Sequence, residues 1–373
     1  YTLQDAAQLT CTDLAMTAGG TTLTSATGGF TDAMKGNLIY IKSGTNFVAG
    51  WYEIVSVADT NTVTIDRDAT SGGNGSSGTG SVGGARAELV DGQLEAAAAV
   101  AGNTFWIKAG TYTLTAPISV STTGGSSDKP QRIIGYQTNR GDRPTGDDRP
   151  LLACGANGIT LTWAYWQLYN LRFTSTASPA ISLASGTIVE NCKCVNSSGF
   201  ANRAAFGGGE IYHDVEAVST LGRGIARYAA NLRCVRCWCH DSAVGVDGNN
   251  NQFHLWQCVF TDCTTGLQLY NASVSHIVDG CTVDGCGTGM FLDCRLSLIT
   301  NNLITGCTTG ISATAKYNNV FRNNNLYDNT TDRSNVTADD TDTAVDPAYD
   351  TDTLQPTAAA VLDGGFGIRL GVG

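Results

Sequence analysis

Asp241 and Asp262 occupy the same slot in adjacent copies of a repeated segment, and His240 and Asp284 share the neighbouring slot two copies apart. Carboxylates stacked about 5 Å apart can serve as nucleophile and acid/base on a glycosidic bond. Asp at such a corner more often caps the turn by bonding its own backbone, so a structural reading competes with the catalytic one. The run Cys234-x-x-Cys237-x-Cys239-His240 has the outline of a zinc knuckle. A structural zinc site needs four side chains converging at about 2.0–2.3 Å. Here Cys237 lies in a column of small residues and Cys234 and Cys239 lie in apolar columns, so these thiols are expected to pack as small buried hydrophobes. Asp339, Asp340 and Asp342, followed by Asp346, Asp350 and Asp352, offer oxygen ligands to calcium. They lack the spacing and the glycine of an EF-hand loop, and a solvated acidic tail is the competing reading. No other cofactor is implied. Trp238 and Trp256 fall outside the apolar columns, where an indole can stack on a sugar or anchor a protein interface.

The repeat positions all of these residues. Gly224, Gly245, Gly266, Gly289, Gly310 and Asp332 mark one corner at spacings of 21, 21, 23, 21 and 22 residues. Self-similarity at this period marks a solenoid, and alternation without a helical stripe makes it a β-solenoid. One column, counted six residues before the corner, reads Val218, Cys239, Phe260, Val283, Ile304, Leu326. A second, one residue after it, reads Ile225, Val246, Leu267, Met290, Ile311, and a third, eleven before it, reads Cys234, Leu255, Val278, Ile299, Phe321. These columns are expected to point inward. Cys237, Cys258, Cys281, Asn302 and Asn324 form one ladder of small residues and Cys263, Cys286 and Cys307 another. Same-slot residues in successive turns stack about 4.8 Å apart.

Upstream, residues 1–70 read as a small β module, with a hairpin between WYEIVSV and TVTIDRD. Residues 71–86 are rich in Gly and Ser and read as a linker. The solenoid is expected over 87–335, opened by a short capping helix at 87–100 whose alanines favour that state. Residues 336–373 read as an acidic C-terminal cap or tail. With 22 basic against 33 acidic residues the net charge is −11. That argues against a nucleic-acid groove, which requires a basic stripe. No apolar run reaches the ~20 residues of a membrane span, and the first residues lack the basic and apolar regions of a signal peptide.

The phrase Gly102-Asn103-Thr104-Phe105-Trp106-Ile107-Lys108-Ala109-Gly110-Thr111-Tyr112 resembles the first turn of pectate-lyase-like right-handed parallel β-helices. The close, from Asp346-Pro347 through Leu354-Gln355-Pro356 to Asp363-Gly364-Gly365, is similar to a frequent ending in that superfamily. Residues 39–47 and 50–54, with the phrase RIIGYQTNRGD at 132–142, resemble text from tailed-bacteriophage virion proteins. The resemblance implies an all-β fold: a right-handed, single-stranded parallel β-helix of about 21–23 residues per turn, behind a small N-terminal β module. It further implies a virion surface protein (capsid decoration, head fibre or tail spike) made in the host cytoplasm and released by lysis. Its partners would be other virion proteins, and it would form a homo-oligomer, by resemblance a trimer. The catalytic phrases of the polygalacturonase and pectate-lyase members are missing from this sequence, which leans the expectation away from an enzyme. Two alternatives stay open: a tail-spike-like polysaccharide depolymerase, working as glycosidase or lyase, and a non-catalytic glycan-binding adhesin.

Overall fold

The computed structural model describes residues 9–82, 102, 104–121, 125–138, 141–176, 179–197, 204–227, 231–248, 252–271, 275–315, 318–337, 341–350 and 355–356. The helix expected at 87–100 lies outside the described residues, as do Asp339, Asp340 and Asp352. Contacts divide the chain into two compact units, Tyr1–Ala87 and Glu88–Gly373.

The first unit is a closed antiparallel barrel of six strands: β1 (Leu9–Met16), β2 (Thr22–Ser25), β3 (Leu38–Thr45), β4 (Gly50–Asp59), β5 (Thr62–Ile65) and β6 (Gly75–Val82). The strand order is β1-β2-β5-β4-β3-β6, with β6 closing on β1. The hairpin read from the sequence is β4–β5. The glycine-rich stretch is corrected by the structure, because residues 75–82 are a barrel stave and not a linker. Its glycines are required by neighbours. A Cβ at Gly75 would lie 2.7 Å from Phe47 Cζ, one at Gly78 2.6 Å from Phe47 Cε2, and one at Gly80 2.8 Å from Leu14 Cδ1. Phe47 and Leu14 fill the space that strand side chains would otherwise occupy.

The second unit is a parallel β-helix. Each coil contributes one short strand to each of three ten-stranded sheets. Sheet 1 runs from Thr104–Lys108 to Val320–Arg322, sheet 2 from Thr111–Thr113 to Asn325–Tyr327, and sheet 3 from Ile118–Val120 to Thr331–Ser334. Among the described residues no helix is long and apolar enough to cross a membrane.

The register confirms two of the inward columns. Cys234, Leu255, Val278, Ile299 and Phe321 pair in succession on sheet 1. Ile225, Val246, Leu267, Met290 and Ile311 do so on sheet 3. The sheet-2 column needs one correction: Cys239 pairs with Ala217, while Val218 pairs with His240 on the outward side. The turn at Thr220–Gly222, closed by Gly222 N–H to Ser219 O at 2.9 Å, is one residue longer than its successors. Counting six back from Gly224 therefore stops one residue short of the inward Ala217. Each large inward side chain contributes roughly 1.5–3 kcal/mol by burial before entropy is subtracted.

The bend between sheets 1 and 2 carries a left-handed residue in eight of the ten coils, and that between sheets 2 and 3 in the later coils. Between sheets 1 and 2 these are Asn170, Asn191, Asp214, Arg236, Gln257, Gly280, Asn301 and Asn323, and between sheets 2 and 3 Asp241, Asp262, Gly285, Gly306 and Asp328. Asn, Asp and Gly tolerate this region best. The ladder residues follow each bend. Cys237, Cys258 and Cys281 point their thiols at the carbonyl two residues back, at 3.6, 3.5 and 3.7 Å. Asn302 and Asn324 continue the ladder, and their Oδ1 atoms accept the backbone N–H of Cys281 and Asn302 at 2.9 and 3.1 Å. All thirteen cysteines are free and buried.

Candidate functional site

His240, Asp241, Asp262 and Asp284 come together at the edge where sheet 2 bends into sheet 3. His240, Thr261 and Asp284 are in register on the outward side of three successive sheet-2 strands. Asp241 and Asp262 follow at the bend with φ of 47° and 53°. The Asp262 N–H donates to the Asp284 carbonyl at 3.3 Å, so these aspartates sit in consecutive coils.

His240 is held by two carboxylates. Its Nε2 lies 3.1 Å from Glu216 Oε1 and its Nδ1 2.7 Å from Asp241 Oδ2. Lys193 Nζ also reaches Glu216 Oε1, at 2.7 Å. The Trp238 ring stacks on the imidazole with centroids 4.0 Å apart, and its indole N–H donates to Thr261 Oγ1 at 3.1 Å. Burial works to lower the His240 pKa, but the hydrogen bonds to Glu216 and Asp241 outweigh it and raise the value above 6.5. Burial works to raise Glu216, yet the bonds from His240 and Lys193 hold the carboxylate below its usual range. This is a satisfied ion network with its aromatic lid already in use. Asp284 differs. Burial, then the nearby Cys286 thiol and the Asp262 charge, push its carboxyl up to about 6. A proton-holding carboxyl beside a second, exposed one is the arrangement general acid–base chemistry needs. Next to it, however, the outward Val259, Thr261, Thr282 and Leu303 are buried, so the strands here present no open groove.

The zinc-knuckle residues face opposite ways. Cys234, Cys237 and Cys239 are in the core, whereas the His240 ring lies outside with Glu216 and Asp241. Among the described residues no group of three or more His, Cys, Asp or Glu is placed to hold a metal. Asp342, read as a calcium ligand, ends the asparagine ladder. Its Oδ1 accepts the backbone and side-chain N–H of Asn324 at 2.8 and 3.1 Å, and its Oδ2 pairs with Arg333 at 2.8 Å.

Trp256 belongs to sheet 1, which has a different outer surface. One outward column runs Trp106, Ile134, Tyr169, Glu190, His213, Val235, Trp256, Asp279, Thr300, Arg322. Every described member is partly or fully solvent-exposed. Beside it run Gln167, Ile188, Ile211, Arg233 and His254. Trp256 meets His254 edge-on at 5.3 Å. Ion pairs line the rim: Arg236 binds both Asp214 oxygens at 2.7 and 2.9 Å and His213 Nε2 at 2.7 Å, and Arg143 pairs with Glu190. A shallow cleft of about 220 Å³ opens at the early end, between Tyr165 and Glu210. Trp106, Tyr169, Tyr165 and Glu210 escaped the sequence reading. The insertions at 121–130 and 137–150 lengthen the early coils and hide the period there. An outward aromatic next to an inward aliphatic, as at Leu168-Tyr169 and Leu255-Trp256, was the available signal.

A family model described as the right-handed beta helix region matches residues 242–345. No curated protein matches the chain. Among solved structures, pectate lyase Pel9A superposes with a TM-score of 0.53 at 16% identity, covering 73% of this chain and 76% of that one. At lower similarity stand the A-module of the Azotobacter vinelandii mannuronan C-5 epimerase AlgE4 (TM-score 0.35, 13% identity, 68% and 75% covered) and a GH87 α-1,3-glucanase catalytic domain (0.39, 10%, 90% and 91%). The fold is a right-handed parallel β-helix of the pectate-lyase type.

Proposed function

We propose that this protein is a polysaccharide-binding β-helix and that sheet 1 carries the binding face. The observation behind this reading is the partly exposed column of Trp106, Tyr169, His213 and Trp256, punctuated by Glu190, Asp279 and Arg322. The four aromatic residues recur on every second coil, about 9.6 Å apart. A flat face of aromatics and charges at constant spacing suits a linear polymer of pyranose rings, which offers apolar ring faces and hydroxyls in alternation. The enzymes that share the fold act on such polymers, pectate lyase among them by its name. Binding of soluble capsular polysaccharide or lipopolysaccharide O-chains, followed by calorimetry, tests the reading. Trp256→Ala with Tyr169→Ala is expected to weaken binding at least tenfold, since each removes an aromatic platform. Equal affinity for wild type and the double variant refutes it.

Turnover is a second reading, favoured by one observation: Asp284, raised to about 6, adjoins Asp262 at the bend. New reducing ends, or the ultraviolet absorbance of an unsaturated uronate, that vanish in Asp284→Asn and Asp262→Asn would establish a depolymerase. Binding without either product leaves an adhesin. The phage-like phrases at 39–47, 50–54 and 132–142 support a place on a virion, with the barrel as attachment module. Uptake of the purified protein onto particles lacking it tests that placement and the proposed homo-oligomer with it.

A further inference from the structure

The cleft at the early end of sheet 1 has a construction that the rest of the face lacks. Tyr165 forms one wall. Its φ is 69°, in the left-handed region, where a bulky aromatic residue is a true outlier. Strain of this kind persists where the surroundings fix it, and it clusters at binding sites. The residue is 40% exposed. Beneath it, in the next coil, lies Gly186, whose own φ is 73°. A Cβ there would stand 3.0 Å from Tyr165 Cδ1 and 3.1 Å from Cε1. The glycine therefore clears the space that the ring rests on. The Gly186 N–H in turn donates to Glu210 Oε2 at 3.0 Å, which fixes the carboxylate across the cleft from the ring. Ile188 and Ile211 make the floor. Gln167 lies alongside, its Oε1 accepting from Arg132 Nε at 2.9 Å, so its amide nitrogen is the end left to donate.

We infer that this cleft is a subsite for one neutral pyranose residue, stacked on Tyr165 and hydrogen-bonded through its hydroxyls to Glu210 and Gln167. It deepens the sheet-1 reading and rests on it for the polymer to which that residue belongs. The volume of about 220 Å³ falls below the roughly 300–1,000 Å³ of clefts that take a whole drug-sized molecule. A single ring is the matching size. Ring carbons of a pyranose give an apolar face to the tyrosine, and vicinal hydroxyls both donate to a carboxylate and accept from an amide. A uronate would set its own charge against Glu210, so the neutral sugar is preferred.

The test uses methyl glycosides of glucose, galactose, mannose, N-acetylglucosamine and glucuronic acid, titrated into the full chain under saturation-transfer NMR. At least one neutral glycoside should bind, and the glucuronide should bind more weakly than the glucoside. Tyr165→Gly should lower affinity by at least about fivefold, the scale of one lost aromatic contact. Because glycine is at ease with positive φ, the same variant should melt no lower than wild type. Glu210→Gln should weaken the neutral sugar and narrow the gap to the glucuronide. Failure of all neutral probes, a preference for the glucuronide, or a fall in melting temperature that tracks the loss of binding each overturns the assignment. If polysaccharide still binds while no glycoside does, the cleft inference fails and the sheet-1 reading survives. If glycosides bind at Tyr165 and the polymer does not, the reverse holds.

Discussion

Replacing Gly245 by alanine tests the packing of the coils through the sign of its effect. The residue is not in the left-handed region, so the usual unfolded-state argument gives Gly→Ala a stabilisation of about 0.4–1 kcal/mol. The structure gives the opposite sign. A Cβ at Gly245 would lie 2.4 Å from the Gly266 carbonyl oxygen and 2.8 Å from Phe260 Cδ1. The oxygen belongs to the backbone of the next coil and moves only if the sheet-3 strands part. Overpacking of this kind costs roughly 1–3 kcal/mol. Loosening the Thr265 N–H to Ala243 O bond of 2.9 Å alongside adds about 0.5–1.5 kcal/mol. Net destabilisation of about 2–3 kcal/mol is expected. The control is Gly125→Ala, whose nearest non-neighbour atom lies at an ordinary 3.4 Å, and which should be neutral or slightly stabilising. Urea unfolding followed by far-ultraviolet circular dichroism compares them. A Gly245→Ala protein as stable as wild type refutes the close-approach argument. The same contact repeats at Gly224, Gly266, Gly289 and Gly310, each facing the carbonyl of its successor. Asp332 ends the series because its strand is the last in sheet 3 and no further carbonyl awaits its Cβ. Ala205 holds the equivalent place one coil before Gly224, so the column itself does not demand glycine in every coil.

Val283→Asp places a carboxylate in a fully buried column and should destabilise by about 3–5 kcal/mol or prevent folding, since the charge has no partner. Soluble yield and melting temperature report it. Asn302→Ala strips the buried Cys281 N–H of its acceptor and should cost about 1–3 kcal/mol by urea titration. Asp284→Asn should be more stable than wild type above about pH 6 and equal to it below about pH 4. The sign follows because the folded pKa, raised from 3.8 to about 6, makes ionisation unfavourable to the fold, so wild-type stability falls as pH rises through that window. About 1–2 kcal/mol is expected after allowing for the solvent-facing side of the group. The His240 network loses stability in the same direction but at higher pH: its stabilisation is complete below the unfolded histidine value near 6.5 and is lost as pH rises through the higher folded value. His240→Gln should flatten that limb of the melting-temperature profile.

The repeat made the helical half of the chain readable because each coil restates the previous one. Once Gly224 and its successors were aligned, Leu255, Val278 and Ile299 were bound to share a wall. The reading slipped where a bend gained a residue, at Thr220–Gly222, since a period-two strand sends its side chains to the opposite side when the count is off by one. It failed at residues 75–82 for another reason. Glycine content speaks to the chain's freedom and not to the bulk of what packs against it, and Phe47 lies almost thirty positions upstream. The candidate carboxylates were found because they sit inside the repeat. Tyr165 and Glu210 were missed because each is a residue before its strand and lies upstream of the corner series that begins at Gly224.

The thirteen free thiols impose an order of events on this molecule. In the folded protein all thirteen are buried, and burial drives Cys154 and Cys192 up to about 12, far from the thiolate that oxidants attack. Before winding is complete the same groups are numerous and near one another along the chain, where any oxidant would tie strands together out of register. Refolding with the thiols kept reduced is therefore expected to give the native coil, and refolding in the presence of an oxidant to trap strands out of register.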